Sequence, residues 1–278
     1  TDYVNFIKEA LEKGGSFNIR ISNYTNNIEE LKHHLKIFAF NFSKEIKINI
    51  VKEQITKTQF QSRKEYAELL KKYWHYDSFR DIRVYDMAAL DDGKKNTHMV
   101  SQEQVISDLV QQVENCSDPL HKSPRDLFFT APTGAGKSAI FQIAAMYLTE
   151  HETNTDDGLG LFTIIISPLV ALMNDMVGNL KFKNYDAATT ITGETSQILR
   201  DEIKRDIAIG KYHMLYIAPE MLLSRSSVEQ LIGNRTIGMI VIDEAHIVTT
   251  WGKQFRPDYW YLGDYIKKLR KKQTIEHH

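Results

Sequence analysis

Ala131-Pro-Thr-Gly-Ala-Gly-Lys-Ser138 decides how this chain is read. The apolar Leu127–Ala131 leading into it predicts a short strand, and Ser138–Leu148 predicts a helix, so the stretch is a turn from strand to helix. A glycine turn at a helix start makes an anion cradle. Gly134 and Gly136 let the backbone approach closely, and the first N–H groups of the helix face the anion. Thr133, Gly134, Ala135, Gly136, Lys137 and Ser138 are therefore candidate phosphate contacts, with Lys137 reaching the β- and γ-phosphates and the Ser138 hydroxyl ligating Mg²⁺. The competing reading is a glycine turn followed by an incidental Lys-Ser, and the flanking strand and helix argue against it.

About a hundred residues on, Val241-Ile-Asp-Glu-Ala-His246 supplies the complementary chemistry. Met239-Ile-Val-Ile242 is an apolar strand that ends in two acids. Asp243 at its tip suits Mg²⁺, directly or through water, and Glu244 suits orienting or deprotonating an attacking water. An acid pair at a strand end is common alone. In one domain with a phosphate loop it points to ATP, because open α/β sheets place their ligands at the carboxyl ends of the strands.

Between these motifs strands and helices alternate. Leu161–Ile166, Ala187–Ile191, Tyr212–Ile217 and Ile237–Ile242 read as strands, and Pro168–Leu180 and Thr195–Ala208 as helices. Upstream, Ser101 is a good N-cap for a helix carrying Val105, Ile106, Leu109 and Val113 on one face. The expected fold is α/β, a parallel sheet sandwiched by helices. The polar, turn-prone Asp91-Asp-Gly-Lys-Lys-Asn96 suggests a linker. Residues 1–95 then form a small α+β domain, with helical spacing at Ile28, Leu31, Leu35 and Phe38 and at Tyr66, Leu69, Leu70 and Tyr73. Its strands are expected at Ser16–Ser22 and Glu45–Val51. Residues 96–272 form the nucleotide-binding domain and 273–278 a tail.

The 278 residues carry a net charge of −1, so no global basic signature marks a nucleic-acid binder, although a local cationic groove would serve a translocating enzyme. The single cysteine, Cys116, excludes an internal disulfide and a cysteine zinc cluster and fits a reducing compartment. With no signal-like start and no membrane-length apolar run, the expected setting is cytoplasmic or nucleoid-associated, without a membrane.

With the phosphate loop, Asp243-Glu-Ala-His246 resembles the DEAH-box helicases of superfamily 2, whose motor is a pair of RecA-like domains. Other segments follow in that family's order. Ser167-Pro-Leu-Val-Ala-Leu-Met-Asn-Asp175, Ile191-Thr-Gly193 and Tyr216-Ile-Ala-Pro-Glu-Met-Leu222 look like its nucleic-acid-facing motifs, which implies contacts at Pro168, Asn174, Thr192, Gly193, Pro219 and Glu220. Gln102 sits where the family reads adenine, and the resemblance adds His246 to the catalytic set with Lys137, Asp243 and Glu244. Trp251-Gly-Lys-Gln-Phe-Arg-Pro-Asp-Tyr259 resembles the aromatic-rich loop of the RecQ-like branch, which couples single-stranded DNA to hydrolysis. Its residues suit that task, since aromatic faces stack on unpaired bases for about 1–3 kcal/mol each. Trp251, Phe255 and Tyr259 would stack and Arg256 would meet a phosphate. The interleaved Gly, Lys, Gln, Arg, Pro and Asp favour a loop over a core role for these aromatics.

The resemblance implies the ATP-binding lobe of a RecQ-like helicase, using ATP and Mg²⁺ for 3′-to-5′ unwinding of single-stranded or forked DNA. RNA stays open as a substrate, because stacking and phosphate contacts do not read the 2′-hydroxyl. The sequence ends soon after the aromatic loop, which leaves no length for a second RecA-like lobe. The expectation is a fragment or one lobe of a longer protein, weakly active alone. A double-stranded DNA translocase, for example of a defence or restriction system, and a nucleotide-dependent scaffold remain alternatives.

Overall fold

The computed structural model describes residues 15–21, 46–52, 60, 62–85, 95–116, 126–152, 155, 157–222, 228–245 and five positions between 262 and 268. The chain divides into two compact units, Thr1–Gln59 with Tyr85–His98, and Phe60–Val84 with Met99–His278.

In the first unit, strands β1 (Gly15–Ile21) and β2 (Ile46–Lys52) pair in parallel, with Gly15 opposite Ile46 and Ile21 opposite Lys52. Both strands were legible in the residue alternation. A parallel pair needs a crossover between its strands. The helix expected around Ile28–Phe38 falls in that interval and lies outside the described residues.

The second unit begins with helix α1 (Lys64–Trp74), followed by β3 (Asp81–Tyr85) and β4 (Thr97–Ser101), which pair as a two-stranded ribbon. Next come α2 (Gln102–Cys116), α3 (Lys137–His151), β5 (Phe162–Ile166), α4 (Val170–Phe182), β6 (Ala188–Ile191) and α5 (Gln197–Ala208). The unit closes with β7 (Met214–Ile217), the short helices α6 (Pro219–Leu222) and α7 (Val228–Ile232), and β8 (Ile237–Ile242). The strand order is β6-β7-β5-β8, every neighbour parallel.

Alternation along the strands divides the core into two layers. Ile165, Met214, Tyr216 and Met239 face the cluster built by α1 to α4, while Phe162, Ile164, Ile166, Leu215 and Ile217 face α5 and α7. Burial of both faces explains why β5 and β7 are almost wholly apolar, Thr163 being the one hydroxyl residue of β5, since a strand covered on both sides has no solvent-facing side.

Two expectations from sequence are corrected. Residues 126–130 form no strand, and Phe128 is 79% exposed, so an apolar run that is not enclosed on two faces has not joined the sheet. Helix α1, read as part of an N-terminal domain, puts Tyr66, Leu69, Leu70 and Tyr73 into the core of the second unit. Arg63 at its start forms a two-pronged ion pair with Glu114 on α2 and also donates to the Tyr147 hydroxyl on α3. That carboxylate and burial of the neighbouring Tyr66 hold the Arg63 cation and the neutral Tyr66 phenol in place.

At the amino ends of the strands a second cation ties the unit together. The buried Arg235 guanidinium donates to the carbonyls of Ile207, Tyr212, Leu159 and Gly160 and meets His213 Nδ1 at 3.2 Å. Its Nε lies 3.2 Å from Asp157 Oδ2, close enough for an ion pair but not aligned as a hydrogen bond.

Candidate nucleotide and nucleic-acid site

The phosphate-loop residues lie where the sequence puts them, at the start of α3. Gly134 (φ 82°) and Gly136 (φ 77°) both adopt the left-handed region that disfavours side chains. Gly136 is the N-cap residue of α3, and a Cβ there would collide with Gln102 Nε2, whereas one at Gly134 would meet nothing. The Ala135 N–H donates to Pro132 O (3.2 Å) and the Ala139 N–H to Gly136 O (3.1 Å), closing the turn into the helix. Lys137 Nζ donates to the carbonyls of Ala131 (2.9 Å) and Pro132 (3.2 Å), which places the ammonium over the first half of the loop. Thr133 and Gly134 are exposed, and Ala135 to Ser138 are half-buried.

Gln102 is 7% exposed and stands behind this loop. Its Nε2 donates to Ala135 O (3.0 Å), its Oε1 accepts from the Arg80 N–H (3.0 Å), and its own N–H donates to Arg80 O (2.9 Å). The resemblance implies an adenine-reading role for this glutamine; its amide also joins the phosphate loop to Arg80. Ser101 caps α2 as expected, its Oγ accepting from the Gln104 N–H at 3.0 Å. Arg80 escaped the sequence reading, and Tyr76, which with Tyr73 and Trp74 reads more readily as core than as a stacking platform, is exposed. The Arg80 guanidinium lies 5.1 Å from the centre of the Tyr76 ring, which is half exposed. The signal available was an aromatic four residues before an arginine, directly after a helix.

The acids stand at the carboxyl end of β8. The Asp243 N–H donates to Ile166 O (2.8 Å), continuing the ladder with β5 one residue past the strand. The Glu244 N–H donates to Asp243 Oδ1 (3.0 Å), and Glu244 takes φ 52°, a turn that swings the chain away from the sheet. Thr149 in the last turn of α3 donates to Leu161 O just ahead of β5 (3.0 Å), so α3 ends at the amino end of the sheet and its first turn, with the loop, points to the carboxyl end where the acids emerge. A buried bond reinforces this, from Gln142 on α3 to the Tyr216 hydroxyl on β7 (2.8 Å). Burial first, and the Asp243 charge to a smaller extent, keep that phenol neutral by raising its pKa.

The nucleic-acid candidates divide. Asn174, Gly193 and Glu220 are exposed. Pro168, Thr192 and Pro219 are buried, so their side chains do not face a ligand. They shape the strand ends instead: Thr192 Oγ1 accepts from the Glu194 N–H (3.3 Å), and Arg200 donates to the carbonyls of Thr192, Gly193 and Thr195. The bonds made by Arg200 were not anticipated. His246, Trp251, Phe255, Arg256 and Tyr259 lie outside the described residues.

Known proteins resemble this arrangement. The chain is similar to ATP-dependent DNA helicase Q5 of Mus musculus, 33% identical over 162 residues that cover 56% of this chain and 15% of that one. It is also similar to ATP-dependent DNA helicase RecQ of Haemophilus influenzae, 34% identical over 50% of this chain and 20% of that one. RecQ of Synechocystis is 37% identical over 50% of this chain and 27% of that one. The matches thus span roughly a quarter or less of each relative's length. Residues 101–275, more than half of the chain, match the DEAD/DEAH box helicase family, and the chain belongs to that family.

Proposed function

We propose that this chain carries the ATP-binding lobe of a RecQ-like DNA helicase, with Phe60–Val84 and the chain from Met99 to residue 272 as the motor region and the first unit as an accessory region. The observation that carries the reading is the phosphate loop: two left-handed glycines ahead of α3, at the sheet end where Asp243 and Glu244 emerge. Backbone N–H groups of residues 134–138 bind the phosphates, and Lys137 exchanges its two carbonyl partners for phosphate oxygens. The Ser138 hydroxyl and the Asp243 carboxylate are the hard oxygen donors that suit Mg²⁺, which supplies charge neutralisation on the phosphate oxygens. Glu244 orients the attacking water, and the family resemblance adds His246 to the catalytic set.

Nucleic acid contacts the exposed Asn174, Gly193 and Glu220, and the resemblance gives Trp251, Phe255, Arg256 and Tyr259 the same task. A second RecA-like lobe supplies the arginine that stabilises charge on the transferring phosphate, an effect of about 10³–10⁵ in rate in related hydrolases. The test is ATP hydrolysis by the longest form of the protein, with and without single-stranded DNA, beside Lys137→Ala and Trp251→Ala. Stimulation by single strands that Trp251→Ala loses, and hydrolysis that Lys137→Ala abolishes, are expected. Activity indifferent to single strands but raised by duplex replaces the helicase reading with a duplex translocase.

A further inference from the structure

Ala218, Ser167 and Asp243 lie side by side at the carboxyl end of the sheet, each one step past its strand. The Ser167 N–H donates to Ile217 O on β7 (3.2 Å) and the Asp243 N–H to Ile166 O on β5 (2.8 Å), so the ladder runs on through them. The register, with Ile166 opposite both Ile217 and Ile242, sets Ser167 between Ala218 and Asp243. Alternation gives them a common face. Tyr216, Ile165 and Val241 pack into the cluster built by α1 to α4, and the residues two further on point to that same side, where α3 begins at the phosphate loop. Ser167 is fully buried, and among the described residues its Oγ has no hydrogen-bond partner. A buried hydroxyl left unpaired is costly and calls for a cause. Ala218 offers it no side-chain acceptor. The neighbour on its other side is the Asp243 carboxylate, whose Oδ1 accepts from the Glu244 N–H (3.0 Å). Adjacent strands lie about 4.7–4.9 Å apart, so a turn about the Ser167 Cα–Cβ bond brings its Oγ within reach of that carboxylate.

We propose that Ser167 is a positioning residue of the magnesium site, its hydroxyl donating to the Asp243 carboxylate when that carboxylate faces the metal of a bound nucleotide. This rests on the reading of Ser138 and Asp243 as the protein oxygens that suit Mg²⁺. A carboxylate that faces a cation keeps lone pairs for a donor at its side, and a hydroxyl there fixes the rotamer in which it faces the ion. The unpaired hydroxyl costs the nucleotide-free chain stability, and the bond to Asp243 returns it on binding.

The experiment measures binding of a fluorescent ATP analogue to the whole chain, with Mg²⁺ and with excess chelator, beside thermal unfolding of the nucleotide-free protein. The readout is the factor by which Mg²⁺ tightens binding. Ser167→Ala reduces that factor about threefold to tenfold, the equivalent of one hydrogen bond. The same variant unfolds no lower than wild type, because an unpaired buried hydroxyl has been removed. Ser167→Cys, which keeps the volume and offers only a weak donor, gives the same reduction. In an Asp243→Asn background Ser167→Ala reduces the factor no further. An undiminished factor, or a loss of affinity equal with Mg²⁺ and with chelator, overturns the proposal. A lower unfolding temperature in Ser167→Ala marks a structural bond and overturns it as well. Lys137→Ala separates the two levels: if it leaves binding intact, the nucleotide reading itself has failed, whereas binding lost in Lys137→Ala with an undiminished factor in Ser167→Ala defeats the positioning role alone.

Discussion

Gly136→Ala probes the loop most directly, because two separable costs meet at that position. The first is conformational. At φ 77° a residue with a Cβ pays about 1–2 kcal/mol for the left-handed backbone. The second is steric: the new methyl overlaps Gln102 Nε2, and Gln102 must withdraw from Ala135 O and the Arg80 N–H, two bonds worth about 1 kcal/mol each. The total is about 3–4 kcal/mol of stability. Gly134→Ala is the internal control, since φ is 82° there but no atom stands within 4 Å of the added Cβ, leaving the backbone cost alone. Any gain from stiffening the unfolded chain is common to both and cancels in the difference. Urea unfolding of the two variants therefore differs by about 2 kcal/mol, and the difference vanishes when Gln102 is also changed to Ala. Equal costs at the two glycines refute the account of Gln102 as the wall of the loop.

Other outcomes follow from the same geometry. Arg235→Met strips donors from four carbonyls and the partner from Asp157, and is expected to lower stability by about 3–5 kcal/mol in thermal or urea unfolding, against near-neutral surface arginine changes. His213 is held neutral, first by burial and then by the Arg235 charge, with its pKa lowered from 6.5 to about 4. Because the folded state binds this proton less readily than the unfolded chain, stability is full above pH 6.5 and falls as pH drops towards 4. The shift corresponds to about 3 kcal/mol for a fully buried ring, and solvent screening at this half-buried one reduces it to about 1–2 kcal/mol, which unfolding curves measure as a steeper acid slope in wild type than in His213→Gln. A truncation beginning at residue 96 removes α1 and with it four buried side chains, Tyr66, Leu69, Leu70 and Tyr73. At about 1.5–3 kcal/mol each this approaches the whole stability of a domain, so that protein should unfold or aggregate while one beginning at residue 60 stays cooperative by circular dichroism.

The sheet was legible because its strands are buried on both faces. Runs such as Phe162–Ile166 and Met214–Ile217 need no partner to be recognised, the intervening helices announced themselves by spacing, and the upstream helix by Ser101 at its start. Leu127–Thr130 has the same composition but stays outside the ladder, and composition cannot report whether a second face is covered. Helix α1 was recognised as a helix and given to the wrong neighbour for a related reason. Its pattern of Tyr66, Leu69, Leu70 and Tyr73 shows that one face is buried, not what buries it. The polar stretch at 91–96 suggested a boundary on the near side, yet the chain had already entered the second unit at Phe60 before its excursion through Tyr85–His98.

The site divides along the same line. Lys137, Ser138, Asp243 and Glu244, the residues proposed to do chemistry, could be placed from the sequence because a glycine turn into a helix and an apolar strand ending in acids mark those positions by local spacing. Residues whose task is to hold the backbone were not, because their partners are distant in sequence: Gln102 meets Ala135 thirty-three residues on and Arg80 twenty-two residues back, across an inserted ribbon. The same applies to Pro168, Thr192 and Pro219, which family order marked as contacts and which burial turns into supports for the exposed Asn174, Gly193 and Glu220. A motif therefore fixes where a ligand-facing loop begins. Only the packing shows which of its members face outward and which keep it in shape, and a substitution at one of the latter should change affinity through the loop's geometry without removing a contact.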